Sequence, residues 1–215
     1  TCVAPDYLLI DGRVKDQFLS HVKKWMTAMY EQDPLDNQGY VRMINRKHYD
    51  RVMGLIDPAK VVYGGRGSPD ALKIQPTILD GVSPEDPVMQ EEIFGPLLPV
   101  LTYDTLDRAV EFINSRPHPL ALYLFSEDRA AQERFLRQVP FGGGCVNDTI
   151  IHLATSRMGF GGVGDSGMGS YHGKLSFDTF SHQKSVVKKS TWMDLPVRYA
   201  PYTALQEKLL RLFLR

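Results

Sequence analysis

Short apolar runs alternate along this chain with longer segments whose apolar residues recur every three or four positions, and that alternation leaves few folds open. Tyr7-Leu8-Leu9-Ile10, Lys60-Val61-Val62-Tyr63, Leu98 to Tyr103, Ala121 to Phe125 and Gly144 to Asn147 are continuous runs of strand length, of the kind covered on both faces. Between them, Val14 to Tyr30 carries Phe18, Val22, Trp25, Met26 and Met29 at helical spacing, and Asn45 to Ile56 carries Tyr49, Val52, Met53 and Ile56. Leu106 to about Ser115, with Asp104-Thr105 offering an N-cap, and Arg129 to Val139 add two more helices. Strands alternating with helices predict an α/β domain with a mostly parallel sheet and flanking helices. Ile74 to Leu79 is a further strand, interrupted by Pro76, which lacks the N–H a ladder needs.

At 215 residues the chain is long enough for a real core. Lysine plus arginine equals aspartate plus glutamate at 25 each, so no basic field favours nucleic acid. Two cysteines, Cys2 and Cys145, are too few for a disulfide scaffold and suit a reducing, cytoplasmic compartment. The six histidines show no metal-ligand spacing, and no metal site is expected. Beyond Phe160 the character changes: residues 160–169 hold five glycines, Ser181 to Ser190 reads as an exposed strand, and Leu205 to Arg215 as a short leucine-rich helix.

Cys2 has two readings from its own neighbourhood: a small buried hydrophobe, or a nucleophilic thiol. Cys145, in an apolar strand beside Gly142-Gly143-Gly144, reads as filler. Glu91-Glu92-Ile93-Phe94-Gly95-Pro96 is either the solvated end of a short helix from Pro87 or a fixed carboxylate beside an aromatic ring, suited to a ribose hydroxyl and a flat heterocycle. The glycines from Gly161 to Gly169 lack the ending of a phosphate-binding P-loop and read as a tight loop whose backbone approaches another segment. His152 and His172 flank that loop.

Several of these stretches, in this order, resemble the NAD(P)-dependent aldehyde dehydrogenases. They are Thr1-Cys2-Val3-Ala4-Pro5-Asp6-Tyr7, Pro87 through Pro96, Pro119-Leu120-Ala121-Leu122-Tyr123, Asn147-Asp148, and Phe160-Gly161-Gly162-Val163-Gly164 through Ser166-Gly167-Met168-Gly169. Tyr171-His172-Gly173-Lys174 and Ser176 through His182 are similar to the class 3 branch, with its fatty and aromatic aldehyde dehydrogenases. The resemblance runs from Thr1 to about Tyr202 and implies the C-terminal half of such an enzyme. On it, 1–180 is most of the catalytic domain, 181–190 an oligomerisation strand, and 191–215 a tail with a short amphipathic helix; the N-terminal dinucleotide-binding domain is absent.

The resemblance also implies roles. Cys2 is the nucleophile and its backbone N–H half of an oxyanion hole. Glu92 holds the nicotinamide ribose of NAD or NADP, and Phe94 packs near the nicotinamide. Thr1, Ile150, Leu153, Phe160 and His172 line a substrate funnel that Asn147 braces. An aldehyde is the substrate, and the full-length protein is a homodimer. The isolated chain is expected to turn over poorly. Two other functions stay open: a thiol esterase or acyltransferase, which needs a histidine near Cys2, and a non-catalytic interaction module that pairs through Ser181–Ser190. The terminal helix packs on protein in preference to a membrane surface.

Overall fold

The computed structural model describes residues 1–30 and 33–214. It divides into two units, Thr1–Phe180 and Ser181 onward. In the first, four strands form one sheet: β1 (Leu8–Asp11), β2 (Val61–Tyr63), β5 (Thr77–Asp80) and β6 (Leu97–Tyr103), in the order β1-β6-β5-β2. Strands β3 (Gly67–Ser68) and β4 (Lys73–Ile74) make a small hairpin between β2 and β5 in sequence. The pairs β1–β6 and β5–β6 are parallel, and β2 closes the edge antiparallel to β5. A separate parallel pair joins β7 (Ala121–Leu124) to β8 (Gly143–Val146), with Tyr123 opposite Cys145. The mainly parallel α/β architecture read from the alternation is the one found.

Alternation along the strands sorts the core into two faces. Ile10, Ile78 and Val100 point to one side and meet α1 (Lys15–Tyr30) through Leu19, with Phe18, Val22 and Met26 around it. Leu79, Leu97 and Leu101 point to the other and meet α2 (Arg46–Gly54) through Tyr49 and Val52. Asn45 caps α2 by accepting the His48 N–H at 2.9 Å. Helices α3 (Leu106–Asn114), capped by Thr105 as expected, and α4 (Arg129–Gln138) share a third cluster with Leu122 and Leu124 of β7.

Three expectations are corrected. Trp25 and Met29, assigned to the buried stripe of α1, are 58% and 67% exposed. At about 3.6 residues per turn Trp25 lies about 120° and Met29 about 80° around the helix from the buried Leu19, so both fall off the face of α1 that packs on the sheet. The strand expected over Ile74–Leu79 is two, β4 and β5, broken around Pro76. The run at β7 is half-buried, with Phe125 64% exposed, because it has a single strand neighbour.

In the second unit Ser181–Ser190 forms no β-ladder among the described residues; every residue of it is exposed. A strand needs a neighbouring strand to satisfy its backbone groups, and this segment has none here. The helix Ala204–Phe213 is closed by a reciprocal Thr203–Gln206 capping box, and Leu205, Leu212 and Phe213 on it are exposed. No helix among the described residues is long and apolar enough to cross a membrane.

Ile78 is fully buried, so Ile78→Ala is expected to cost about 2–5 kcal/mol, read as a lower denaturant midpoint at unchanged slope. Trp25→Ala should stay within about 0.5 kcal/mol of the parent chain.

Candidate active site

Cys2 lies in a turn ahead of β1, closed by the Ala4 N–H to Thr1 carbonyl bond at 3.1 Å, and its side chain is exposed. The turn is anchored at both ends. Val3 is buried, and its carbonyl accepts the Tyr123 hydroxyl at 2.6 Å. Four residues beyond Cys2, Asp6 Oδ1 accepts the Ile93 N–H at 2.9 Å. Burial pushes the Asp6 carboxyl above its ordinary range, opposed by that Ile93 bond and by the Arg116 charge.

Ile93 belongs to the turn that carries Glu92 and Phe94. Helix α2 builds that turn from the other side. Arg51 donates through Nη1 to Glu91 Oε1 at 2.9 Å and to the Glu92 carbonyl at 3.3 Å, and through Nη2 to the Ile93 carbonyl at 2.5 Å. Ile93 is buried and plugs the turn into the core. Phe94 takes a left-handed φ of 47°, which throws its ring outward, where it is 54% exposed. Gly95 follows because a methyl there would stand 2.8 Å from Cγ1 of the fully buried Val52. Glu91 is therefore occupied by Arg51, whereas the Glu92 carboxylate makes no hydrogen bond among the described residues.

A cavity of about 690 Å³ opens between these two turns, lined among others by Thr1, Asp6, His48, Arg51, Glu92 and Phe94. The remaining candidates are placed elsewhere. Asn147, at φ 58°, clasps Ser126 from both sides, accepting its N–H at 2.8 Å and donating to its carbonyl at 3.0 Å, and so ties the end of β8 to that of β7. Ile150, at φ 65° and 46% exposed, opens a 3-10 turn through Ile151–Leu153, with the Leu153 N–H on its carbonyl at 2.9 Å. Phe160 pairs with Tyr171 across a two-residue bridge and stacks on His172 at 5.9 Å. None of these five lines the cavity. The glycine loop is a close-approach loop: Cβ atoms at Gly161 and Gly162 would overlap the Gly169 and Ser166 carbonyl oxygens. Among the described residues no group of three or more metal-ligating side chains gathers.

Asp6, Arg51 and Tyr123 were not singled out from the sequence. Asp6 and Tyr123 stand inside the motifs read there, as apparent spacers. Arg51 lies on the polar side of an amphipathic helix, where nothing in the local sequence separates it from a solvated arginine. Tyr123 joins the two halves of the site. Burial pushes its phenol up; the Ile150 backbone amide opposes that, and charge on Cys145 or Cys2 adds to it.

Comparison with known proteins follows this geometry. The model of the aldehyde dehydrogenase family matches residues 1–186. The chain is 50% identical over 204 residues to 4,4'-diaponeurosporen-aldehyde dehydrogenase of Staphylococcus aureus, which covers 94% of this chain and 44% of that protein. It is 46% identical over 190 residues to the dimeric NADP-preferring aldehyde dehydrogenase of Rattus norvegicus, covering 88% and 42%. Among solved structures, substrate-bound Staphylococcus aureus AldH superposes with a TM-score of 0.95 at 46% identity, over 100% of this chain and 47% of that one. The chain spans less than half the length of each of these three relatives.

Two variants test the geometry. Gly95→Ala presses a methyl on the stiff Val52 side chain and is expected to lower stability by about 1–3 kcal/mol in a thermal or denaturant melt. Asp6→Asn keeps an oxygen acceptor for Ile93 and removes the titration. The Asp6 carboxyl is raised above 3.8 in the folded chain, so its stabilising share is complete below that value and is lost as pH rises through the folded one. Stability of the parent chain relative to Asp6→Asn should therefore fall with rising pH across that window; an unchanged or opposite slope contradicts the assignment.

Proposed function

This chain belongs to the aldehyde dehydrogenase family, and from that premise we propose that it is the C-terminal, nucleophile-bearing half of an NAD(P)-dependent enzyme that oxidises aldehydes to carboxylic acids. One observation carries the reading: the Cys2 turn and the Glu92–Phe94 turn are hydrogen-bonded to each other, through Asp6 and Ile93, and both border one cavity, the first through Thr1 and Ala4, next to Cys2 but not through Cys2 itself.

The Cys2 thiolate adds to the aldehyde carbon, forming a carbon–sulfur bond and placing negative charge on the former carbonyl oxygen. The Cys2 backbone N–H donates to that oxygen as charge develops. The volume and lining of the cavity support a nicotinamide and its ribose as occupant: the unengaged Glu92 carboxylate would take the ribose hydroxyls, and the outward Phe94 ring would present a face to the flat heterocycle. NAD or NADP, when bound there, supplies a hydride acceptor. Cys2 then holds the acyl group as a thioester, and water displaces the sulfur because a thiolate is a competent leaving group. Ile150, Leu153, Phe160 and His172 supply apolar and aromatic surface for the substrate, and Asn147 holds the backbone beside them.

The relatives are aldehyde dehydrogenases, one of them dimeric by name, and we extend dimerisation to this chain through Ser181–Ser190. The segment is exposed and unpaired, with Val186 and Val187 among its side chains and Lys184, Lys188 and Lys189 guarding the edge. The two thiols suit a cytoplasmic enzyme. A thiol esterase built on Cys2 has less support, since the histidine in contact with a cysteine here is His152, on Cys145.

The isolated chain, given an aldehyde and NAD or NADP, is expected to produce no NADH or NADPH at an ordinary enzyme rate. Co-expressed with the N-terminal half of the rat relative, it should produce it, and Cys2→Ala should remove more than about a thousandfold of that rate. An active complex with Cys2→Ala would sink the assignment.

A further inference from the structure

The second cysteine has a partner that its strand does not reveal. Cys145 Sγ lies 3.4 Å from Nδ1 of His152, a hydrogen bond for sulfur. Seven residues separate the two, and the fold closes the gap: β8 ends at Val146, and the chain returns through the Ile151–Leu153 turn to set the imidazole against the strand it has just left. Gly143 gives the ring its place, since a methyl there would stand 3.1 Å from the imidazole Cδ2. Tyr123 flanks both groups, opposite Cys145 in the ladder and 6.0 Å from the imidazole between ring centres.

A second observation is independent of the thiol. His152 is 93% buried by its 7% exposure, and its Nε2 has no hydrogen-bond partner among the described residues. Burying an unpartnered ring nitrogen is a cost that packing alone would avoid with an apolar residue of the same shape. The one hydrogen bond of the imidazole among the described residues is to the sulfur, while Cys145 itself is only half-buried.

We propose that Cys145 and His152 form a second reactive-thiol site, separate from Cys2, that is modified by small uncharged soft electrophiles of the α,β-unsaturated aldehyde class. Sulfur is a soft nucleophile, and the side chains flanking it, His152 and Tyr123, carry no fixed charge that would draw in a charged reagent. Nδ1 takes the thiol proton as the sulfur lone pair bonds to the β-carbon of the alkene. The carbon–carbon π pair moves to form an enolate, which recovers the proton from the imidazolium. Nothing is oxidised or reduced, and the product is a thioether with the aldehyde intact. The site does not rest on the dehydrogenase reading, because neither the thiol nor the base belongs to that reaction.

The test uses the full chain with Cys2→Ala, so that Cys145 is its only thiol, treated with acrolein and then borohydride, with adduct formation at Cys145 followed by peptide mass mapping. Labelling in the native chain is expected to be about tenfold faster than in the same chain unfolded in urea, a comparison that requires no second variant to fold. His152→Phe, checked for folding by circular dichroism, should remove that advantage, and His152→Asn, which keeps a polar group near the sulfur but no base, should remove it as well. Native labelling no faster than in urea, or an unchanged rate in folded His152→Phe, overturns the proposal.

Discussion

The parallel pairing of β1 with β6 is the constraint on which the site depends. Leu8 lies beside Val100 and Asp11 beside Tyr103, so the segments that enter the two strands arrive at the same end of the sheet. Cys2 is on one of those segments and Glu92 and Phe94 are on the other. The Cys2 turn and the turn that carries Glu92, ninety residues apart in sequence, are brought to one end of the sheet because two strands run the same way, side by side. The Asp6 to Ile93 bond closes this juxtaposition just ahead of the ladder.

The remaining elements hold that end of the sheet in shape. Helix α2 packs Val52 under Gly95 and extends Arg51 over the Glu91–Ile93 backbone, so one helix sets both the floor and the rim of the Glu92–Phe94 turn. Tyr123 does the corresponding work across the other gap, from the β7–β8 pair to the carbonyl beside Cys2. Five non-glycine residues among the described ones have left-handed φ, Leu72, Phe94, Asn147, Ile150 and His172, and all but Leu72 are candidate site residues. Non-glycine residues hold such conformations where the surroundings over-determine them, as the clasp of Asn147 on Ser126 and the Arg51 bonds around Phe94 do here.

Much of this was legible in the residues. The strand and helix positions follow from apolar period, and Pro76 and Thr105 mark a strand break and a helix start through the N–H one lacks and the hydroxyl the other supplies. Cys2, Glu92 and Phe94 stood out by type and by motif. What stayed hidden depends on distance. Nothing local distinguishes Asp6 or Arg51 from a solvated charge, because their partners lie 87 and about 40 residues away. The exposure of Trp25 and Met29 depends on which side of the apolar stripe the sheet takes up, here the side of Leu19, which periodicity within the helix does not record. The Cys145–His152 contact needed the turn at Ile150 to fold the chain back on its own strand.

The central claim is that Cys2 and the Glu92–Phe94 turn are held together by the fold of these residues alone. A nitroxide attached to Cys2 in a Cys145→Ser chain tests it directly, through paramagnetic broadening of backbone amides. Asp6 is bonded to Ile93, and the four residues back to Cys2 span at most about 14 Å. The Glu92, Ile93 and Phe94 amides should therefore broaden strongly, while the amide of Leu79, in the core of β5, should broaden less. Sharp Glu92–Phe94 amides in a folded, labelled chain would contradict the account.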